Sequence, residues 1–205
     1  MAIVLVRHGE TALNAARVLQ PADTPLSQRG LAQARALARR LAATGRIEAV
    51  LSSDLPRAWS TAQAVAEPLG LSVVGSALLH ERNFGAWRGR AYDTLGFDPL
   101  TRVDAPPDGE SAAAFAQRAQ AAFDAMLARH ALRAGDLLVV THGLMIRALL
   151  AGPLRQGEPV LRGLRLGNTA VCIFDAAPPH ALQLLNCTRH LDGWAADDAA
   201  ALSGG

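Results

Sequence analysis

Two of the six histidines, His8 and His142, stand directly before a glycine at the end of an apolar run. Arg7 precedes the first in "VLVRHGETALN", Arg57 follows Ser52 and Ser53 in "LSSDLPRAWS", and Glu81 opens "ERNFGAWRG". Guanidinium forks match phosphate oxygens bidentately, and glycines such as Gly9 and Gly143 let backbone N–H groups approach an anion at a loop or helix start. Two imidazoles, two guanidiniums and a carboxylate therefore suit a phosphoryl group, with Asn14 as a neutral donor.

The strongest rival chemistry for two histidines and a glutamate is a metal site, since such sets bind zinc or iron. A divalent cation beside Arg7 and Arg57 would meet repulsion of several kcal/mol at ~4 Å, even with an effective dielectric near 20. No metal is expected. Neither Ser52 nor Ser53 lies in a G-x-S-x-G elbow. All the basic residues are arginine, which removes Schiff-base and Walker lysine chemistry. The nucleophile left for phosphorus is an imidazole nitrogen, mostly neutral at pH 7 from a reference pKa of about 6.5. Flanking arginines disfavour its protonated form further. Arg7 thus grips phosphate and keeps His8 a free base. A strand end fixes the ring, and Gly9, lacking a Cβ, is expected to leave room for the phosphoryl group.

Residues so far apart need a scaffold that gathers them. Short apolar runs alternate with helix-period segments, which is the sign of an α/β fold with a mostly parallel sheet covered on both faces. Strands are expected at 2–7, 47–53, 71–79, 136–141, 169–175 and 182–187. Helical spacing of Leu31, Ala34, Leu37, Ala38 and Leu41 predicts a helix capped by Ser27 and stopped by Gly45. Asp54 is the expected cap of a second helix through Trp59, Ala62 and Val65, and Phe115, Ala119, Ala122 and Met126 mark a third. Arg7, His8, Ser53, Glu81 and His142 then all fall at carboxyl ends of strands, the edge where open α/β sheets bind ligands. Periodicity fails over 84–111, where "DAPPDGES" lies, so this segment reads as a surface excursion carrying substrate contacts.

With 205 residues the chain suits one domain over 1–191, and the small, polar stretch 192–205 is expected to fray. A net charge of +2 and 4% aromatic residues argue against nucleic acid. No apolar run approaches the ~20 residues of a membrane span, and no cleavable signal precedes the domain, so no membrane partner and a cytoplasmic location are expected. Cys172 and Cys187 lack metal-ligand spacing and read as buried thiols.

The blocks "LVRHGET" with Asn14, "DTPLSQRGLAQA" at 23–34, "LSSDLPRAWSTA" at 51–62, "ERNFGAWRG" at 81–89, "GES" at 109–111 and "VVTHG" at 139–143 stand in order over residues 2–150. Together they resemble the histidine phosphatase superfamily in its phosphoglycerate-mutase-like branch. The resemblance implies a three-layer α/β/α sandwich, no cofactor, and a small phosphorylated substrate; it admits a homodimer. It also implies that His8 becomes phosphohistidine, that Arg7, Arg57 and His142 grip the phosphoryl group with hydrogen bonds from Asn14 and Thr11, and that Glu81 is the general acid. Gly143 follows the second histidine where the acid-phosphatase branch has the aspartate that supplies its acid, which assigns that role to Glu81.

Hydrolysis of a phosphate monoester is the leading reading, with broad-specificity and α-ribazole phosphatases as the similar types. A cofactor-dependent phosphoglycerate mutase is the nearest competitor, but such mutases have a longer insertion after the glutamate block, with lysine and arginine contacts to the substrate carboxylate, whereas this chain is short there and has no lysine. A non-catalytic phospho-ligand-binding protein is the third reading, and no member of the predicted set is missing to support it. Glu10 and Glu110 also flank the site in sequence. His80 is expected to point away from Glu81 by strand alternation. His130, His180 and His190 read as surface positions, and Arg35, Arg39 and Arg40 as a solvated helix face. Phe84 falls near the pocket mouth, while Trp87 and Tyr92 either line the pocket or pin the loop.

Overall fold

The computed structural model describes residues 1–193; most of the tail expected to fray, 194–205, lies outside the described residues. The chain order is β1 (Ala2–Arg7), α1 (Ala12–Ala15), α2 (Gln28–Ala42), β2 (Ile47–Ser52), α3 (Pro56–Ala66), β3 (Val73–Gly75), α4 (Ala112–His130), β4 (Asp136–Thr141), α5 (Gly143–Ala151), α6 (Glu158–Leu161), β5 (Val171–Asp175) and β6 (Leu182–Cys187). The strands form one sheet in the order β3-β2-β4-β1-β5-β6. The first four of these run parallel, while β5 lies antiparallel to β1 and β6 antiparallel to β5.

Strand residues alternate between faces, so an all-apolar strand needs cover on both. In β1, Ile3 and Leu5 meet Phe123 and Met126 of α4 and Met145 and Ile146 of α5. Val4 and Val6 belong to the opposite core with Leu37 and Leu41 of α2 and Ala62 and Val65 of α3. The result is the expected three-layer α/β/α sandwich. Ser27 caps α2 through its hydroxyl, which accepts the Gly30 N–H at 3.0 Å, and Gly45 follows the helix with a φ of 61°.

Several boundaries depart from expectation. The third strand is only Val73–Gly75, because β2, its one partner, ends at Ser52 opposite Gly75. Beyond Ser76 the chain turns through a short 3-10 helix at Ala77–Leu79. Asp54 does not cap α3. Pro56 takes the first helical position, which holds Leu55 extended, and the Asp54 carboxylate pairs with His80 instead. A positive φ of 55° at Thr169 delays β5 to Val171.

The excursion forms no further layer. It folds as 3-10 turns at Gly85–Trp87 and Tyr92–Leu95 around a small apolar cluster of Leu19, Phe84 and Leu95, against which Trp87 and Tyr92 pack. Both aromatics therefore pin the loop, and Tyr92 also lines a surface cavity beside Arg17 and Phe97. The Arg82 guanidinium ties its ends, donating to the carbonyls of Glu110 at 3.1 Å, Arg102 at 2.8 Å and Asp104 at 3.3 Å.

None of the three unassigned histidines is fully exposed, and His180 and His190 are half-buried. His130 is buried, His180 stands edge-on to Phe123 at 5.1 Å, and His190 lies 2.8 Å from the Thr169 hydroxyl and 3.2 Å from Arg40. Arg35 and Arg39 are exposed, but Arg40 turns inward to the Cys187 carbonyl at 3.3 Å. Cys172 is buried and Cys187 only half-buried. Arg40 and His190 meet at the C-terminal strand and turn, whose packing no local periodicity records.

Candidate active site

The end of β1 is clamped on both sides. The His8 N–H donates to the Thr141 carbonyl at 2.9 Å and the Arg7 N–H to the Ala170 carbonyl at 3.3 Å, so the sheet ladder continues through both residues. The His8 carbonyl accepts from the Thr169 N–H at 3.3 Å and the Asn168 amide at 3.2 Å. The His8 ring places Nδ1 2.6 Å from the Gly9 carbonyl. A carbonyl oxygen only accepts, so Nδ1 carries the ring proton and Nε2 keeps its lone pair. Nε2 has no hydrogen-bond partner among the described residues.

His142, the residue before α5, brings its ring within 5.1 Å of the His8 ring, centroid to centroid, at 61°. Its Nε2 lies 2.8 Å from the Ser53 hydroxyl, which itself accepts the Leu55 N–H at 3.3 Å. With one proton and two lone pairs, the Ser53 hydroxyl holds the His142 ring through Nε2 in either tautomer, and Nδ1 has no hydrogen-bond partner among the described residues. Arg57, in the first turn of α3, donates through one terminal nitrogen to the carbonyls of Pro21 and Ala22, at 3.3 and 3.4 Å, while its Nε is unpartnered. Arg7 is wholly buried and donates to the Leu166 carbonyl at 2.6 Å. The Glu81 carboxyl accepts the Arg82 N–H at 3.0 Å on one oxygen and the Leu144 N–H, in the first turn of α5, at 3.1 Å on the other.

Burial and charge set the protonation states. Burial first, then the positive charges of Arg57 and Arg7, hold the His8 pKa well below the ordinary imidazole value. His142 is lowered in the same way by burial, Arg57 and His8. Burial pulls Arg57 down to about 10, so it remains a cation at neutral pH. Burial raises Glu81 above the ordinary carboxylate range, against the two backbone N–H groups and both arginines. The cluster therefore combines neutral imidazoles, permanent cations and a carboxyl biased toward its protonated form.

The predicted residues are brought together, but some do work the sequence does not suggest. A Cβ on Gly9 would lie 2.6 Å from the Gly30 carbonyl oxygen, so this glycine makes room for α2 rather than for a phosphoryl group. Thr11 and Asn14 form a reciprocal capping box on α1, and the Asn14 amide reaches Asn168 at 3.4 Å. Gly143 is the first residue of α5. His80 does not turn away: β3 has ended, strand alternation no longer applies, and His80 lines the same cavity as Glu81. Glu10 accepts from the Ser27 hydroxyl and Glu110 is bound by Arg118, so neither competes with Glu81.

Sequence reasoning missed Asn168, Thr61 and Arg118. Thr61 accepts the Gly9 N–H at 3.0 Å. Arg118 of α4 donates to the carbonyls of Leu78, His80 and Glu81 and to the Glu110 carboxylate, which fixes the segment bearing Glu81. The signal for Asn168 would have been an antiparallel β5, which brings its N-terminal end to the carboxyl edge of the parallel strands. Among the described residues no group of three or more His, Cys, Asp or Glu side chains is placed to hold a metal ion, and no helix is long and apolar enough to cross a membrane.

Residues 3–188 match the family model of the histidine phosphatase superfamily (branch 1). The chain belongs to the histidine phosphatase superfamily. A "Probable phosphoglycerate mutase GpmB" of Yersinia pestis (strain Pestoides F) is 34% identical over 213 residues, covering 96% of this chain and 97% of the relative. The phosphoserine phosphatase of Entamoeba histolytica, solved with 3-phosphoglyceric acid, superposes with a TM-score of 0.77 at 28% identity over 93% of this chain and 98% of that one. A mycobacterial glucosyl-3-phosphoglycerate phosphatase solved with VO3 gives 0.77 at 27% identity, over 91% and 99%. This histidine phosphatase is accordingly an enzyme, with the α/β/α fold of those structures.

Proposed function

We propose that the enzyme hydrolyses phosphate monoesters of small metabolites through a phosphohistidine, without a metal ion. The lone pair of His8 Nε2 attacks phosphorus while Glu81 gives its proton to the leaving alkoxide. Water then attacks the phosphohistidine, Glu81 takes the proton of that water, and the bond to Nε2 breaks to release inorganic phosphate. Arg7, Arg57 and His142 stabilise the charge on the transferring oxygens, with the Gly143 N–H at the start of α5 and Asn14 as further donors and Thr11 holding Asn14 in place. The observation that carries this reading is His8 Nε2, an unpartnered and unprotonated nitrogen buried beside two guanidiniums and a carboxyl of raised pKa. Solved relatives named as phosphatases support hydrolysis over transfer between hydroxyls.

The test is release of phosphate from p-nitrophenyl phosphate and a panel of phosphometabolites, with and without chelator, alongside His8→Ala. Expected are turnover that chelator leaves intact and that His8→Ala abolishes, and an acid-labile phosphoenzyme in the wild type alone. Loss of activity with chelator, or full activity of His8→Ala, would overturn the mechanism. The relative named as a mutase favours a second reading, in which the phosphoryl group returns to another hydroxyl of the held substrate. Isomerisation of 3-phosphoglycerate outpacing phosphate release would establish it.

A further inference from the structure

The two imidazoles of the site are backed by chemically different partners. His8 Nδ1 faces the Gly9 carbonyl at 2.6 Å, and a carbonyl only accepts, so Nε2 is left bare. His142 Nε2 faces the Ser53 hydroxyl at 2.8 Å, which carries both a proton and lone pairs. Nδ1 is then the His142 nitrogen left for a phosphoryl group, and it is buried with no hydrogen-bond partner among the described residues. Although His142 occupies the N-cap position of α5, its side chain makes no capping bond, so the ring is committed to the site.

Ser53 is held so that rotation of its O–H bond is the freedom that remains. Its N–H donates to the Val140 carbonyl at 2.9 Å, its own carbonyl accepts the Ser52 hydroxyl at 2.8 Å, and its side chain is buried. The Leu55 N–H occupies one lone pair of the hydroxyl at 3.3 Å. One lone pair and one proton remain for His142 Nε2. A phosphoryl oxygen beside Nδ1 decides between them: it is an acceptor, so Nδ1–H donates to it, whereas a bare Nδ1 would set a lone pair against an anion. A neutral ring with its proton on Nδ1 has a bare, buried Nε2, which needs a donor. A backbone carbonyl in place of Ser53 would hold the ring in the opposite tautomer.

We propose that Ser53 is a positioning residue for phosphoryl transfer: with an anion in the site its hydroxyl donates to His142 Nε2, so that the neutral His142 ring presents Nδ1–H to the transferring oxygens. The same side chain is thereby made a nucleophile at position 8, by a carbonyl behind it, and a proton-bearing donor at position 142, by a hydroxyl behind it. This role rests on the reading above, in which a phosphoryl group passes to His8 with His142 beside it.

The test reads the ring without turnover, so that its failure is separable from failure of the hydrolase reading. Nitrogen-15 spectra of the wild type, labelled at its six histidines, are recorded with inorganic phosphate and with orthovanadate, and His142→Asn identifies the signals of residue 142. Expected with either anion is a protonated Nδ1 and a bare, hydrogen-bonded Nε2. A proton on Nε2, whether alone or together with one on Nδ1, overturns the proposal. Kinetics supply the second measurement. Ser53→Ala should lower kcat on phosphate monoesters by about ten- to a hundredfold, as for a donor lost from a buried acceptor, with KM changed less. The near-isosteric Ser53→Cys, a weak donor, should fall between, and Ser53→Thr, which keeps the hydroxyl, should recover turnover. A wild-type kcat in both Ser53→Ala and Ser53→Cys overturns the proposal. The expected tautomer in a wild type that turns over no phosphate ester overturns the hydrolase reading alone.

Discussion

His8 is a free base for two reasons that act in the same direction: its ring is buried, and two guanidiniums face it. Glu81 is biased the other way, toward its protonated form, by burial that outweighs two N–H donors and both arginines. The pair should give a bell-shaped profile of kcat/KM. Activity requires neutral His8, so the acid limb lies below the ordinary imidazole range; it requires protonated Glu81, so the alkaline limb lies above the ordinary carboxylate range. Replacing Glu81 by Gln removes the proton source. Turnover of alkyl phosphates should fall by about 10²–10⁴-fold and lose its alkaline limb, while p-nitrophenyl phosphate, whose aryl oxide leaves well unprotonated, should lose less. Equal losses on both substrates with an unchanged profile would move the acid role to another group. His8, Arg7, Arg57 and His142 were legible because each lies within a few residues of a strand end, where a local pattern announces it, and Glu81 because of the block it opens, since β3 stops at Gly75 and a 3-10 turn intervenes. Ser53 was legible as a strand end but not as the partner that holds the His142 ring, and Asn168, Thr61 and Arg118 act through contacts between distant segments that leave no spacing to read.

Elements place these residues by close approach as much as by direction. The loop after β1 and the first turn of α2 touch backbone to backbone: a Cβ on Gly30 would lie 2.0 Å from the Glu10 carbonyl oxygen, and one on Gly9 2.6 Å from that of Gly30. Neither obstacle is a flexible side chain. Gly30→Ala must therefore separate α2 from the loop that carries His8. The expected cost is about 1–3 kcal/mol or more, as for other overpacked sites, read as a lower urea midpoint at unchanged slope. A midpoint equal to that of the wild type would mean that the loop yields without strain. The central elements were legible because apolar strands and amphipathic helices alternate in sequence. The edges were not, since the length of β3 is set by where β2 stops, and the reversed direction of β5 depends on a connection in which no residue type dictates direction.

At the scale of the whole molecule, the catalytic imidazoles bear on stability. His8 and His142 have folded pKa values well below about 6.5, the value each regains on unfolding. Their contribution is complete above that unfolded value and is lost as pH falls toward the folded one, because the unfolded chain then binds protons that the native chain refuses. Each group gives a slope approaching about 1.4 kcal/mol per pH unit, with stability rising as pH rises. Glu81 has the opposite sign: its raised pKa favours the folded state below the ordinary carboxylate value and costs stability as pH rises through the folded one. Between pH 7 and pH 5 the histidines should dominate, since most of an imidazole's titration in the unfolded chain falls there. Urea unfolding of the wild type and of His142→Asn at both pH values isolates one of them. Carboxylates and the remaining histidines titrate in both proteins and largely cancel in the comparison. His142→Asn should lose about 2 kcal/mol less than the wild type over this interval, even though it is the less stable protein at pH 7. Equal losses would mean that His142 accepts a proton in the native site. Its Nδ1 and Nε2 would then both be donors, the Ser53 proton would have to turn away, and His8 would face a third cation.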